Sequence, residues 1–431
     1  MLLWAAGTHA TSAMIGVLVV FFLFYCTNVL GLSAFVAGQI LFWVRMYDLV
    51  ADLAIGHCSD RTRSTWGRRR PYLLAGAFGS LAGFILLFNV PALGGWALIG
   101  WVTLAMVVYT TAYSTFNIPH LAMPAEMTDQ PHTRTVMMAW RMLFFTTANL
   151  LTLVGGNVIL ARTPGAAGYE TLGWVVGISA FVAMLVSFFG THDVKALPRT
   201  ELLPPVKEQL AVIAANRPFR LYLVAKTAML AAQASATAAM LYFGEYVLKR
   251  ADLLIAFGIW VTLGTLASAP LWAAASKRFG KRLCFVAACT GYGVIMLTWL
   301  LASAVEPTPI LNARLLALGI ALSGILVIGF SILPDTMAWD RERSGANREG
   351  VYAGIYSLME KAANALGPLV FASWLAGAGY ISTTAGKPVA QPDAAVSAIY
   401  IALGVFPAVA AFLAAAVFLR YPAEPAHRPG T

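Results

Sequence analysis

Twelve stretches of this chain are each long and apolar enough to cross a lipid bilayer, and that pattern excludes most other folds. A membrane helix needs about 20 mainly apolar residues. Such runs fall near residues 8–29, 36–57, 71–90, 96–118, 136–160, 172–191, 219–247, 253–275, 283–303, 312–333, 351–376 and 395–419. Every backbone N–H and C=O in hydrocarbon must be satisfied within its own segment, so runs of this length are helices. The expected fold class is an all-α membrane protein with twelve transmembrane helices. The chain is 59% hydrophobic and 11% charged. A soluble enzyme or a nucleic-acid-binding fold has about a quarter of its residues charged, so neither is expected. The first run lacks a basic leader and a small-residue cleavage site, which reads as a retained helix rather than a signal peptide.

The formal charge of +10 is a matter of topology. Twenty Lys and Arg lie in the loops after the even spans and in the C-terminal tail, against five in the opposite loops. Loops rich in Lys and Arg stay in the cytoplasm, so both termini are expected there, in a plasma (inner) membrane. The excess is not read as a nucleic-acid site. The connection at 192–218 carries four prolines among charged residues and divides the spans six and six, into halves 1–191 and 219–431. A repeat supports this division. Trp66-Gly67-Arg68-Arg69 follows the second span and Phe279-Gly280-Lys281-Arg282 follows the eighth. Two pseudo-symmetric six-helix halves facing a cavity are the major facilitator arrangement. The basic turns suit both a positive-inside anchor and a gate. Cys26, Cys58, Cys284 and Cys289 show no metal-site spacing, and neither a disulfide nor a bound metal beyond a transported cation is expected.

A charge at mid-bilayer costs on the order of 2.5–3.5 kcal/mol on insertion scales, so each one demands a partner, water or a job. Arg45, Asp48 and Asp52 stand at i, i+3 and i+7 on one helix face, the two carboxylates a turn apart. Like charges that close favour a shared cation, Na⁺ or H⁺. The alternative is a structural network in which Arg45 neutralises one acid. Thr110, Ser114 and Asn117 form a polar stripe on the fourth span, beside Tyr113 and leading into a break at Pro119. Such a stripe suits a hydroxyl-rich ligand or helix packing. Arg141 has no acid on its own helix within a turn. In the eleventh span, adjacent Glu360 and Lys361 cannot pair along their helix; Lys361 is expected to face the cavity and Glu360 to be its neighbour or a helix contact. Lys226 is expected to snorkel to the surface.

These motifs resemble the glycoside-pentoside-hexuronide:cation symporters of the major facilitator superfamily over essentially the whole chain. The resemblance rests on Arg45-x-x-Asp48-x-x-x-Asp52-x-x-x-Gly56 and on Asp60-Arg61-Thr62-x-Ser64-x-Trp66-Gly67-Arg68-x-Arg70-Pro71. It rests equally on Pro119-x-x-Ala122-x-x-x-Glu126-Met127-Thr128 followed by Arg134-Thr135 and Arg141, and on Gly345-x-x-Arg348-Glu349-Gly350 leading to Lys361. It implies a cation site for Na⁺, H⁺ or Li⁺ at Asp48 and Asp52, with Asn117 nearby, and a coupling role for Lys361. It implies substrate contacts from Ser12, Arg45, Ser114, Asn117, Arg141 and Lys361, and a cytoplasmic gate from Asp60, Arg68, Arg348 and Glu349. Ser12 and Asn117 stand where melibiose permease-like members carry aspartates, and Leu121 where they carry a stacking tryptophan, so galactoside specificity is not implied.

The expected function is secondary active symport of a sugar or glycoside with Na⁺ or H⁺, by alternating access. The expected partners are a small-molecule substrate, a monovalent cation and the bilayer, with no cofactor. Animal lysolipid transporters share the acid pair and the lysine, so an amphiphilic substrate stays open, as does a non-transporting sensor. A membrane enzyme is not expected, because the six histidines are scattered and form no catalytic constellation.

Overall fold

The computed structural model describes residues 1–128, 131–192, 216–250, 253–344, 349–384 and 389–422. Among them are twelve long helices. They are α1 Leu2–Asn28, α2 Ala34–Arg61, α3 Arg70–Phe88, α4 Gly95–Met127, α5 Pro131–Arg162 and α6 Ala166–Gly190, then α7 Arg217–Tyr242, α8 Leu253–Phe279, α9 Lys281–Thr298, α10 Thr308–Ser344, α11 Glu349–Gly377 and α12 Asp393–Phe418. Ten of these are long enough, and contain a stretch apolar enough, to cross a membrane. The two that fall short are α7 and α11, which carry Lys226 and Gln233, and Glu360, Lys361 and Asn364.

Sequence starts and stops several of the helices locally. Ser33 caps α2 by accepting a hydrogen bond from the Val36 amide at 3.3 Å, and Asn216 caps α7 by accepting from Phe219 at 2.9 Å. Arg61 closes α2 and Lys277 and Arg278 close α8, where positive charge complements the helix dipole.

The chain forms two compact units, Met1–Thr200 with Tyr380–Ala390, and Glu201–Gly379 with Gln391–Thr431. Residues 380–390, expected with the second half, thus group with the first. There the Thr383 amide donates to Thr27 O at 2.9 Å and the Tyr380 hydroxyl donates to Asn28 Oδ1 at 2.9 Å. Within the first unit the main helix pairings are α3 with α4, α3 with α6, α1 with α5, α1 with α6, and α2 with α4. Within the second, the same pairings recur six helices later: α9 with α10, α9 with α12, α7 with α11, α7 with α12, and α8 with α10.

The repeated basic turns each hold a glycine at positive φ. Gly67 has φ +88° and Gly280 has φ +79°, a left-handed region costly for any residue with a Cβ. Each turn then reaches the end of the last helix of its own unit. Arg70 donates to Phe188 O of α6 at 3.3 Å, and Arg282 donates to Leu419 O beyond α12.

One local expectation fails. The fourth span does not break at Pro119; α4 runs through both Pro119 and Pro124 to Met127. A proline amide cannot donate to the carbonyl four residues back, so Pro124 frees His120 O. The Trp4 indole N–H takes that carbonyl at 3.1 Å. A neighbouring helix thereby satisfies the backbone group, the usual condition for proline inside a membrane helix.

Candidate functional site

Glycine brings the helix that carries the site close to its neighbour. A Cβ on Gly76 of α3 would lie 2.7 Å from the Phe116 backbone on α4, so only glycine permits this approach, the small-residue packing typical of helices in lipid. It seats one end of α4 firmly and presents the Thr110–Asn117 stripe.

Asp48 is fully buried, at 0% exposure. The Ser114 hydroxyl, also fully buried, donates to Asp48 Oδ1 at 2.7 Å. Asp48 Oδ2 faces Arg45 Nη1 at 3.8 Å, well beyond the roughly 2.7–2.9 Å of a charge-assisted hydrogen bond. Arg45 therefore offsets the charge of Asp48 without clamping its carboxylate. Asp52, one turn on, is partly exposed; its Cβ lies about 5–6 Å from that of Asp48 by helix geometry. Asn117 is buried at 8% exposure, three residues past Ser114 on the same face. The carboxylates of Asp48 and Asp52, with the Ser114 and Asn117 oxygens, are hard donors of the kind that suit a small cation.

Beside this cluster Met14, Ile15, Leu18, Arg45, Tyr109, Thr110 and Tyr113 line a narrow crevice too tight to hold a water molecule. Thr103, Thr111 and Thr115 each donate to the carbonyl four residues earlier. The Thr110 hydroxyl is buried and makes no hydrogen bond among the described residues. Its hydrogen-bonding capacity is thus unused among those residues. Neither Tyr109 nor the freedom of Thr110 was readable from spacing along a single helix. Arg141 on α5 lies within electrostatic reach of Tyr113, and its buried Nε has no hydrogen-bond partner among the described residues.

The remaining expected site residues fall elsewhere. Ser12 is buried and donates to Phe145 O at 2.9 Å, tying α1 to α5. Asp60 is 57% exposed and pairs with Arg69 at 2.8 Å; Arg68 is half-buried in the same turn. Arg348 and the Glu349 side chain lie outside the described residues, as do the side chains of Glu126, Arg134 and Thr135. Lys361, on α11 of the second unit, is partly exposed. Lys226 corrects an expectation. It does not snorkel but is 2% exposed, with Nζ 5.3 Å from the Phe330 ring centroid and Glu360 within electrostatic reach. Its ammonium is enclosed by neighbouring helices rather than by the water that was expected.

Known proteins agree with this architecture. Residues 3–424 match the family described as MFS/sugar transport protein. A glucuronide carrier protein homolog of Escherichia coli is 26% identical over 399 residues, covering 89% of this chain and 85% of the relative. A putative glycoside/cation symporter of Escherichia coli, YagG, is 27% identical over 375 residues, covering 85% and 80%. The crystal structure of a bacterial homologue of the human lysosomal transporter Spinster, inward-facing and unoccupied, superposes with a TM-score of 0.70 at 13% identity, over 99% of this chain and 98% of that one. At that identity the likeness speaks for the fold alone, the twelve-helix major facilitator fold.

Proposed function

Because this chain belongs to the MFS/sugar transport protein family, a family of multi-pass membrane transporters and not of enzymes, we propose that it is a cation-coupled symporter of a sugar or glycoside. The observation that carries the reading is the buried Ser114–Asp48 hydrogen bond at 2.7 Å. It holds one carboxylate in a fixed position a turn from a second, more open one. Such preorganised oxygens bind a monovalent cation, Na⁺ or H⁺, at Asp48 and Asp52, with Asn117 completing the donor set. Cation binding then lowers the cost of ordering the neighbouring substrate groups.

On the substrate side, Thr110 offers a neutral hydroxyl and Asn117 an amide; Ser114, whose proton goes to Asp48, can only accept, and Arg45 and Arg141 offer positive charge. Charge-assisted hydrogen bonds are roughly twice as strong as neutral ones. Two guanidinium groups therefore favour a glycoside carrying a carboxylate, and the name of the glucuronide-carrier relative accords with that preference. Ser12 is left out, since its proton is committed to the α5 backbone. Lys361 couples the occupied cation site to substrate, and the Asp60 and Arg68 turn, with Arg348 and Glu349, gates the cytoplasmic side. The halves 1–191 and 219–431, joined by 192–218, are the moving bodies of an alternating-access cycle. The protein lies in the inner membrane with both termini in the cytoplasm, following the twenty-to-five bias in basic residues.

Proteoliposome uptake tests this. A panel of neutral glycosides and glucuronides is offered under an inward Na⁺ gradient and, separately, an inward proton gradient. The reading predicts accumulation of at least one solute under one gradient, abolished by Asp52→Asn. Accumulation that Asp52→Asn leaves unchanged contradicts it.

A further inference from the structure

The two spans too polar to qualify as ordinary membrane helices, α7 and α11, pack against each other within the second unit. Their seam is a ladder of matched rungs. Phe219 meets Tyr352 edge-on at 4.8 Å, and Tyr222 stacks on Tyr356 at 5.9 Å. Further along, a Cβ on Gly367 would strike Ala231 O at 2.3 Å, and Tyr242 meets Phe371 at 5.2 Å. Lys226 stands four residues after Tyr222, and Glu360 four after Tyr356, so the next rung of the ladder is Lys226 opposite Glu360. Each lies within electrostatic reach of the other.

The surroundings commit Lys226 to this rung. It is 2% exposed, and its ammonium lies 5.3 Å from the Phe330 ring centroid. A Cβ on Gly329 would come within 3.4 Å of Nζ, so the glycine leaves the ammonium room. A buried cation at membrane depth demands a counter-charge, and Glu360 lies within its electrostatic reach.

The consequence reaches Lys361. Successive residues on a helix point roughly 100° apart, so an α11 that turns Glu360 toward α7 turns Lys361 away from the seam. Ser357 and Asn364, four residues before Lys361 and three after it, share its face and are exposed on the protein surface. We propose that Lys226 and Glu360 are a positioning pair, whose attraction across the α7–α11 seam sets the rotation of α11 and so aims the Ser357–Lys361–Asn364 stripe. Glu360 thus acts through its neighbour and not on the ligand. The use of that aim rests on Lys361 taking part in coupling, as argued under the proposed function.

The test reads rotation rather than transport. Cys58 is the exposed native thiol, and Cys26, Cys284 and Cys289 are buried, so Cys58→Ser with Asn364→Cys gives one reporter on the stripe. A cationic methanethiosulfonate reagent labels it in detergent. Lys226→Met and Glu360→Gln are each expected to change the labelling rate by about tenfold, the size of effect that coupling within one charge network produces. The exchanged pair, Lys226→Glu with Glu360→Lys, is expected to restore the parent rate. A purely structural role would lower the melting temperature of the single variants without moving the labelling rate. Folded single variants that label at the parent rate overturn the proposal, as does an exchanged pair that labels differently from the parent or does not fold. Should the single variants not fold, the exchanged pair decides alone. Loss of the Lys361 reading would look different: Lys361→Met would retain cation-driven uptake with every labelling rate unmoved.

Discussion

Replacing Ser114 with alanine strikes the candidate cation site at its most closely defined contact. The substitution deletes one hydroxyl, leaves α4 helical, and removes the 2.7 Å hydrogen bond to Asp48 Oδ1 where both partners are fully buried. A hydrogen bond to a charged group contributes about 1.5–3 kcal/mol, and water cannot replace it at a closed site. Arg45, at 3.8 Å from the other oxygen, is too distant to take over that orientation. If the bond serves to hold the carboxylate in its cation-binding position, its loss appears in cation affinity. At about 1.4 kcal/mol per factor of ten, the half-saturating cation concentration rises roughly ten- to a hundredfold. Initial uptake rates in proteoliposomes measure this, with cation titrated under whichever gradient drives transport. Ser114→Thr keeps the hydroxyl and is expected to stay near the parent value. A folded Ser114→Ala protein with unchanged half-saturation would refute the reasoning and leave Asp48 a packing residue.

Other substitutions test the fold and its charges. Trp4→Phe removes the donor that satisfies His120 O; it should cost about 1–3 kcal/mol, read as a lower thermal midpoint in detergent. Most of that loss should vanish when Pro124→Ala restores the amide. Glu306 and Arg314 form a nearly buried pair at 2.7 Å. Glu306→Gln should therefore destabilise by about 3–5 kcal/mol, whereas Asp60→Asn, at a pair whose acid is 57% exposed, should cost under about 1 kcal/mol; equal losses in the two would contradict the burial argument. Gly76→Val should separate α3 from α4, because the added carbon meets the Phe116 backbone at 2.7 Å, and should lower the yield of folded protein in size-exclusion chromatography.

What could be read in advance depended on whether a property lies along one helix or between two. Hydropathy marks the spans because each must satisfy its own backbone, and the left-handed glycines at 67 and 280 sit in turns whose repeat was visible as Trp-Gly-Arg-Arg and Phe-Gly-Lys-Arg. Asp48, Asp52 and Ser114 stood out because polar groups are costly in lipid. The hydrogen bond joining Ser114 to Asp48 was invisible, since the two are 66 residues apart on different helices. Pro119 and Pro124 carry the ordinary signal for a helix end, and nothing near them in sequence announces that Trp4 supplies the missing donor. Lys226 was misread for the same reason. Its distance from the span end suggested snorkelling, and only the α7–α11 seam shows Glu360 within its electrostatic reach.

Reciprocal linkage between cation and substrate tests symport at Asp48 and Asp52 most directly. Equilibrium binding of a transported glycoside or glucuronide to the purified protein is measured with and without cation, and cation binding with and without that solute. Coupling predicts that each tightens the other by the same factor, typically about 5–150-fold, and that Asp52→Asn reduces both factors to one. Two ligands that bind independently in the parent protein, or a linkage that survives Asp52→Asn, would contradict the account.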